Sequence, residues 1–509
     1  MSFEDPFTGY SAVLRTIVYA IVPLFTAWQV VRLRRGLHVF QLEGYKRPRF
    51  LAWCQADRKR ALFLRRDTRK KPLVMTERAW RILVAATVLS VALVIVPAGL
   101  VHVWAGWPFD IPTWAVTTIV AFFAVPHLLV AADILLAPLQ RAVNDRFVRA
   151  ARRRLDELHP VVVGITGSFG KTSTKFAVAG IVADEGLVLA TPDSYNTPLG
   201  VSRTVNELLG ERHRFFVVEM GAYREGDIAE LCSFVRPKVG VLTAIGPAHL
   251  ERFGSLDAIR RAKYEIVTSL PEDGIAVMNV DDLEVRALAD ATDRPSVVRY
   301  GIDEQGRPHV TARGIEHTVQ GAHFEIVVSS SGESIVVQTR LLGRHAIGHV
   351  LAGVAVATGL GSSLPELKAR IEGLAPIAHR LQILEGTGGV IVIDDAYNSN
   401  PEGAEAALEV LASMPGERKV VVTPGIIELG EQQQRANETL GERAARVADV
   451  VIVVARVNRT ALRNGAGKAG GAEVLVVDTL EQAQTELAKY LRPGDVVLFE
   501  NDLPDHYER

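Results

Sequence analysis

The chain has 509 residues, 48% of them hydrophobic and 23% charged, with a formal net charge of −1. That balance excludes a disordered polymer and a protein that coats nucleic acid, and two cysteines, Cys54 and Cys232, make neither a disulfide framework nor a zinc cluster. The length predicts about three domains, and the neutral sum hides segregation: residues 32–81 carry 16 Lys and Arg against 4 Asp and Glu.

Residues 1–150 read as a membrane module with about three transmembrane helices. Residues 17–31 are apolar apart from Thr26 and Gln29 and are bracketed by Arg15 and Arg32. The stretch is short, since a span takes about 20 residues. Glu4 and Asp5 precede it and no small-residue cleavage site follows, which argues against a signal peptide. Residues 82–107 are long and carry no Asp, Glu, Lys or Arg; residues 111–136 form a third apolar stretch, broken by Pro126 and holding His127 and Asp133. Trp104, Trp107 and Trp114 flank the turn between them, as interfacial aromatics do. Positive charge stays on the cytoplasmic side. The expectation is therefore a multi-pass protein of the cell (inner) membrane, with the basic loop 32–81 and everything after Arg141 in the cytoplasm. Asp133, near the cytoplasmic end, is expected at the interface, and the basic cluster 146–154 against anionic headgroups.

Residues 160–165 form a buried-strand pattern and 174–184 a helical one. Between them stands Thr166-Gly-Ser-Phe-Gly-Lys-Thr-Ser173. A glycine-rich turn entering a helix aims backbone N–H groups at phosphate oxygens, and the helix dipole adds to the attraction. Thr166, Gly167, Ser168, Gly170, Lys171, Thr172 and Ser173 are thus candidate phosphate-binding residues, with Lys171 reaching the terminal phosphates and the Thr172 hydroxyl holding Mg²⁺. The generic motif has a further Gly where this chain has Ile165. Downstream, residues 215–221 read as a strand ending in Glu219. Residues 239–245 read as a strand leading to His249, and Lys263 falls on a helical pattern over 261–266. Strand C-terminal ends line the crevice of an open parallel sheet, so Glu219 and His249 are placed to converge near the phosphates. Taken singly, they read as a strand-end carboxylate and a loop histidine, and Lys263 as a solvated helix lysine.

The run from Gly164 to Thr174 resembles the ATP loop of the Mur ligase family. Asn196-Thr-Pro-Leu-Gly200, Glu219-Met-Gly-Ala222, Gly246-Pro-Ala-His-Leu-Glu-Arg-Phe-Gly254 and Ala262-Lys-Tyr-Glu-Ile266 resemble its further motifs in the same order. Asp394-Asp-Ala-Tyr-Asn-Ser-Asn-Pro401 and Gly425-Ile-Ile-Glu-Leu-Gly-Glu431 resemble the MurF-like branch, which adds D-alanyl-D-alanine. The resemblance spans residues 160–502. It implies an ATP-dependent acid–amino-acid ligase that forms an acyl phosphate on a carboxylate and then an amide. It implies Mg²⁺ held by Thr172 and Glu219, and a second ion held by His249 and a carbamylated Lys263. Arg380 and Lys171 would neutralise phosphate charge, Asp395 would orient the ribose or the closed state, and Asn196 and Thr197 would line the acceptor side.

The departures are specific. The family's N-terminal UDP-sugar domain is replaced by the membrane module. Its Gly-x-His-Asn-x-x-Asn appears as Gly343-Arg-His-Ala-Ile-Gly-His349, without either asparagine, and its C-terminal Lys-Gly-Ser-Arg is replaced by Phe499-Glu-Asn-Asp-Leu-Pro504. The fold class implied is α/β: a P-loop parallel-sheet domain over 151–378 and a smaller doubly wound, Rossmann-like domain over 379–509. Strands of the latter are expected at 390–393, 419–423, 450–454, 474–477 and 496–499, with an antiparallel excursion at 297–342 and a helix at 345–358. The leading functional reading is amide ligation on a cell-wall peptidoglycan or related envelope precursor. The acceptor is a small-molecule or lipid-linked carboxylate and the donor an amino acid or dipeptide; no nucleic acid is involved. An anchored poly-amino-acid or capsule ligase, and a non-ligating nucleotide-dependent membrane scaffold, stand beside it.

Overall fold

The computed structural model describes residues 8–64, 72–105, 110–184, 187–192, 195–248, 250–294, 296–318, 321–376, 379–396, 399–427, 429–454 and 456–502. The chain forms two compact units, Met1–Arg146 and Phe147–Arg509.

The first unit is helical, with helices Thr8–Leu42, Arg47–Ala56, Glu77–Ala105 and Asp110–Phe123 and the first turns of Val125–Leu158. Leu33, Leu37, Phe40, Phe50, Phe63, Ile82 and Leu129 make its core. The expectation of three spans is corrected here. Among the described residues one helix, Glu77–Trp104, is long and apolar enough to cross a bilayer, and about a third of its most apolar stretch is buried. A second span arises only if Pro112–Phe123 and Val125–Leu158 count as one, and these are bent by 78°. The break lies beside Pro126, which lacks an N–H to donate and disfavours helical geometry in the residue before it. Residues 17–22 of the first expected stretch, Trp107 and the turn 106–109 lie outside the described side chains. Asp133 pairs with Arg47 Nε at 2.7 Å and Arg78 Nη2 at 2.9 Å.

The second unit contains two sheets. The larger has the order β2-β3-β1-β4-β5-β6-β7-β8-β9. Its strands are β1 Val161–Thr166, β2 Val188–Ala190, β3 Phe215–Glu219, β4 Val239–Leu242, β5 Ile275–Asn279, β6 Val297–Tyr300, β7 Val310–Thr318, β8 Gly321–Val328 and β9 Glu333–Thr339. Pairing is parallel from β2 through β7 and antiparallel from β7 to β9. The apolar runs are continuous because both faces are covered. Alternate side chains go to opposite faces: Val163, Ile165, Val217 and Val241 pack with helices Lys171–Val182 and Arg344–Gly359. Val162, Phe216, Val218 and Leu242 pack with helices Pro198–Leu208, Asp227–Val235 and Leu256–Thr268. The phosphate-loop helix begins at Lys171, three residues before the apolar periodicity placed it, because its first turn is polar and faces the loop.

The smaller sheet has the order β10-β11-β15-β12-β13-β14. Its strands are β10 Gln382–Glu385, β11 Ile391–Asp395, β12 Lys419–Thr423, β13 Val450–Val453, β14 Glu473–Val476 and β15 Val496–Glu500. Only β10 is antiparallel, at one edge. The C-terminal ends of β11 and β15 are in register, with Asp395 opposite Glu500.

Candidate nucleotide and metal site

Strand β1 delivers the chain into a loop that two glycines shape. Gly170 has φ 74°, the left-handed region that L side chains avoid, and it starts the helix Lys171–Val182. A Cβ on Gly167 would lie 2.0 Å from Thr243 Oγ1, so only glycine fits beneath the strand β4 exit. The loop is pinned from below. Thr166 Oγ1 donates to the Met220 carbonyl at 2.9 Å, Ser168 N–H to the Ala244 carbonyl at 2.7 Å, and Ser168 Oγ to the Gly246 carbonyl at 3.0 Å. Lys171 Nζ curls over the loop and donates to the carbonyls of Gly167 at 2.8 Å and Ser168 at 3.2 Å. Burial lowers its pKa; Glu219 opposes that shift, and Arg380 adds to it.

Behind the loop stands Glu219, at the end of β3 and 1% exposed. Thr172 Oγ1 donates to its Oε2 at 2.8 Å and Asn196 Nδ2 to its Oε1 at 3.1 Å. Lys175 Nζ lies 3.4 Å from Oε2, with both side chains buried. Sequence reasoning passed over Lys175. Its signal was spacing: Thr172 and Lys175 are three apart on one helix, so they share a face. Lys263, on the helix Leu256–Thr268, is also buried. Burial and then the charge of Lys171 bring its amine down to about 7, against Asp227, Glu265 and Glu219. Lys171, Lys263 and Glu219 are thus electrostatic neighbours, although Lys263 read as solvated.

His249 lies outside the described residues, and among those described no three His, Cys, Asp or Glu gather as a metal cluster. The hard oxygens of Thr172 and Glu219, side by side, are the donor chemistry Mg²⁺ prefers. Thr197 is exposed and does a structural job: its hydroxyl accepts from Gly200 N–H at 3.3 Å and caps the helix Pro198–Leu208.

A cleft of about 1280 Å³ runs from the loop to the smaller sheet, lined by Gly170, Thr172 and Ser173 on one side and by Arg380, Asp395 and Ser399 on the other. Asp395 Oδ1 accepts from Leu381 N–H at 3.2 Å. Burial first, and Glu500 second, raise its pKa to about 7, with Arg380 pulling the other way. Glu500 is fully buried; Ser399 Oγ donates to its Oε1, and Thr423 Oγ1 donates to its Oε2 at 2.7 Å. It therefore fastens the segment after Asp395 to the sheet. His379 Nδ1 lies 2.7 Å from Asp394 Oδ2. Tyr397 and Asn398 are outside the described residues. A phosphate loop, a buried carboxylate and a lysine able to shed its proton, facing a second domain across a cleft, suit phosphoryl transfer to a bound acid.

Comparison with known proteins agrees with that chemistry. Residues 165–357 match the Mur ligase middle domain and residues 379–500 the Mur ligase, glutamate ligase domain. The chain is 33% identical over 375 residues, 66% of its length, to the UDP-N-acetylmuramoyl-tripeptide–D-alanyl-D-alanine ligase of Mycobacterium leprae, covering 70% of that protein. Among solved structures, MurF from Acinetobacter baumannii matches with a TM-score of 0.62 at 28% identity, over 70% of this chain and 77% of that one. MurF from Thermotoga maritima in complex with ADP matches with a TM-score of 0.61 at 29% identity, over 70% and 80%.

Proposed function

The chain belongs to the Mur ligase family, and from that premise we propose that it uses ATP to join the amine of an amino acid or dipeptide to a carboxylate of a UDP-linked or lipid-linked muramoyl peptide. The observation that carries this is the arrangement of Lys171, Thr172 and Lys263 around Glu219 beneath the loop.

A carboxylate oxygen is a poor leaving group. Transfer of the γ-phosphoryl to it releases ADP and forms an acyl phosphate. The amine then attacks the acyl carbon, phosphate departs, and the nitrogen loses a proton. Charge on the moving phosphoryl is met by Lys171 and Arg380, and positioning supplies most of the catalysis. Thr172 and Glu219 would hold Mg²⁺, which when bound neutralises phosphate charge. Lys263, with a depressed pKa, adds to CO₂ as the neutral amine and loses a proton. The resulting carbamate would, with His249, hold a second Mg²⁺. Asn196 orients Glu219 at the acceptor end, and Asp395 and Arg380 bring the smaller domain to the nucleotide.

The reading includes a membrane-bound enzyme. Its support is the helix Glu77–Ala105, which presents Val84, Val88, Val96, Leu100, Val103 and Trp104 outward, beside a basic segment. Phosphate release from Mg-ATP by the detergent-solubilised chain tests the ligase reading, with UDP-N-acetylmuramoyl tripeptide and D-alanyl-D-alanine supplied singly and together. Release that needs both is the expected result. No stimulation of release by either the soluble acceptor or its lipid-linked counterpart, each supplied with D-alanyl-D-alanine, would overturn the muropeptide assignment.

A further inference from the structure

Glu219 is engaged by protein donors on both oxygens. Oε1 accepts from Asn196 Nδ2 at 3.1 Å, while Oε2 accepts from Thr172 Oγ1 at 2.8 Å and has Lys175 Nζ 3.4 Å away. Lys175 is wholly buried, and so, within a percent, is Glu219. Such a pair is a poor device for holding a fold together. Taking two charges out of water costs about what their attraction returns, and apolar side chains of similar volume commonly do as well. On the helix Lys171–Val182, Val178, Ile181 and Val182 already supply the packing. A lysine buried among them needs another reason.

Charge supplies one. Lys171, at the start of the same helix, is answered by the carbonyls of Gly167 and Ser168, which are neutral. Lys175 cancels Glu219, so among these three groups positive charge is in excess. Lys263, in the same electrostatic neighbourhood, draws on Asp227 and Glu265 as well. A dication that takes both Thr172 Oγ1 and Glu219 Oε2 must turn the hydroxyl hydrogen out from between them and face the Lys175 ammonium at close range. Like charges a few ångströms apart in a water-poor site repel strongly. Nucleotide phosphates on the loop reverse that balance, because they bring negative charge to the helix N-terminus.

We infer that Lys175 is a built-in counter-ion for Glu219, a positioning residue that keeps this carboxylate charge-balanced beside Thr172 and makes Mg²⁺ binding conditional on the phosphates. Mg²⁺ then enters and leaves with the nucleotide instead of residing on the protein. The inference rests on the loop being the Mg-nucleotide site of the ligase.

Mn²⁺, a hard divalent ion that takes the same oxygen donors, makes the metal visible by electron paramagnetic resonance on the full chain in detergent, without turnover. Titrated against the nucleotide-free wild type, it is expected to bind weakly. Lys175→Met is expected to bind it at least about tenfold more tightly, the lower end of what a residue behind a metal ligand is worth. Lys175→Arg, which keeps the charge, should stay close to the wild type, and adding Glu219→Gln to Lys175→Met should remove the gain. A lysine that merely supports the site gives the opposite sign, since its loss would loosen the ligands. Weaker or unchanged binding in Lys175→Met therefore overturns the inference, as does a gain that appears in Lys175→Arg or persists in the double variant. So does a wild type that holds Mn²⁺ as tightly without nucleotide as with ADP, a comparison that needs no variant and survives a misfolded Lys175→Met. If the protein holds no Mn²⁺ even with ADP, the metal-nucleotide reading of the loop falls and the inference with it, a failure distinguishable from an error about Lys175 alone.

Discussion

Lysines set the character of this site, because three of them crowd one carboxylate and cannot all be solvated cations. Lys175 answers Glu219 directly at 3.4 Å, Lys171 reaches over the loop, and Lys263 is left with a pKa of about 7. Lys171→Ala is expected to abolish phosphate release while nucleotide-free folding persists, which circular dichroism alongside the release assay checks. Lys263 gives a sharper test. Carbamate formation consumes the neutral amine, so activity should rise as pH passes upward through about 7 and should respond to added bicarbonate. Lys263→Ala should lose most turnover and recover part of it with short carboxylic acids; recovery with no added acid, or none at any concentration, speaks against the carbamate. Asp395 carries the opposite sign. Its folded pKa of about 7 lies above the ordinary carboxylate value, so between that value and pH 7 the folded state binds more protons than the unfolded. Stability is therefore lost as pH rises across this window. Asp395→Asn should raise the melting temperature by a few degrees at pH 8 and change little at pH 4, whatever it does to activity.

At the scale of elements, what was legible depended on whether a segment's pattern and its environment agreed. The strands β1, β3, β4, β11, β12, β13 and β15 are short, largely buried apolar runs, and each begins within a residue of where its run predicts it, although β4 ends at Leu242, three residues short of its expected end. Strand β10 went unread because Gln382-Ile-Leu-Glu385 has two apolar residues and pairs only at an edge. Glu219 was legible as a strand-end carboxylate, but Lys175 was not, since a lysine on an amphipathic helix normally points to water. Thr197, which the resemblance puts on the acceptor side, also caps a helix, a role that its Pro198 neighbour signals. The turn from β1 into its helix yields the element-scale prediction. At Gly170 an alanine would pay about 1–2 kcal/mol for the left-handed backbone, and its methyl would press on His349. Gly170→Ala should weaken Mg-ATP binding by about tenfold or more, since one 1.4 kcal/mol loss is already tenfold, with the thermal transition still cooperative. Unchanged affinity would mean that the loop does not meet the phosphates as described.

For the whole molecule, the decisive question is what covers the outward apolar face of the helical unit. Charge and hydropathy are segregated along the chain: an apolar helix with Val103 and Trp104 more than three-quarters exposed stands in the same unit as a segment of strong positive charge. In water such a face is costly, at roughly 25 cal/mol per Å², and soluble monomers rarely leave large contiguous patches open. Two ways of covering it differ in a measurable way. A helix spanning the bilayer is held by the hydrophobic effect, which carbonate at high pH does not weaken. A basic surface lying on anionic headgroups is held by charge, which salt screens over a Debye length of about 8 Å at physiological strength and 3 Å at 1 M. The full chain is expected in the membrane pellet after both 1 M salt (about the 3 Å regime) and carbonate washing, and in solution only with detergent. Release by salt alone would reduce the helical unit to an electrostatic platform, and a fully soluble chain would send the apolar face to a protein partner. Only the first result also favours a lipid-linked acceptor, because only an anchored enzyme meets such a substrate at every encounter with the inner leaflet.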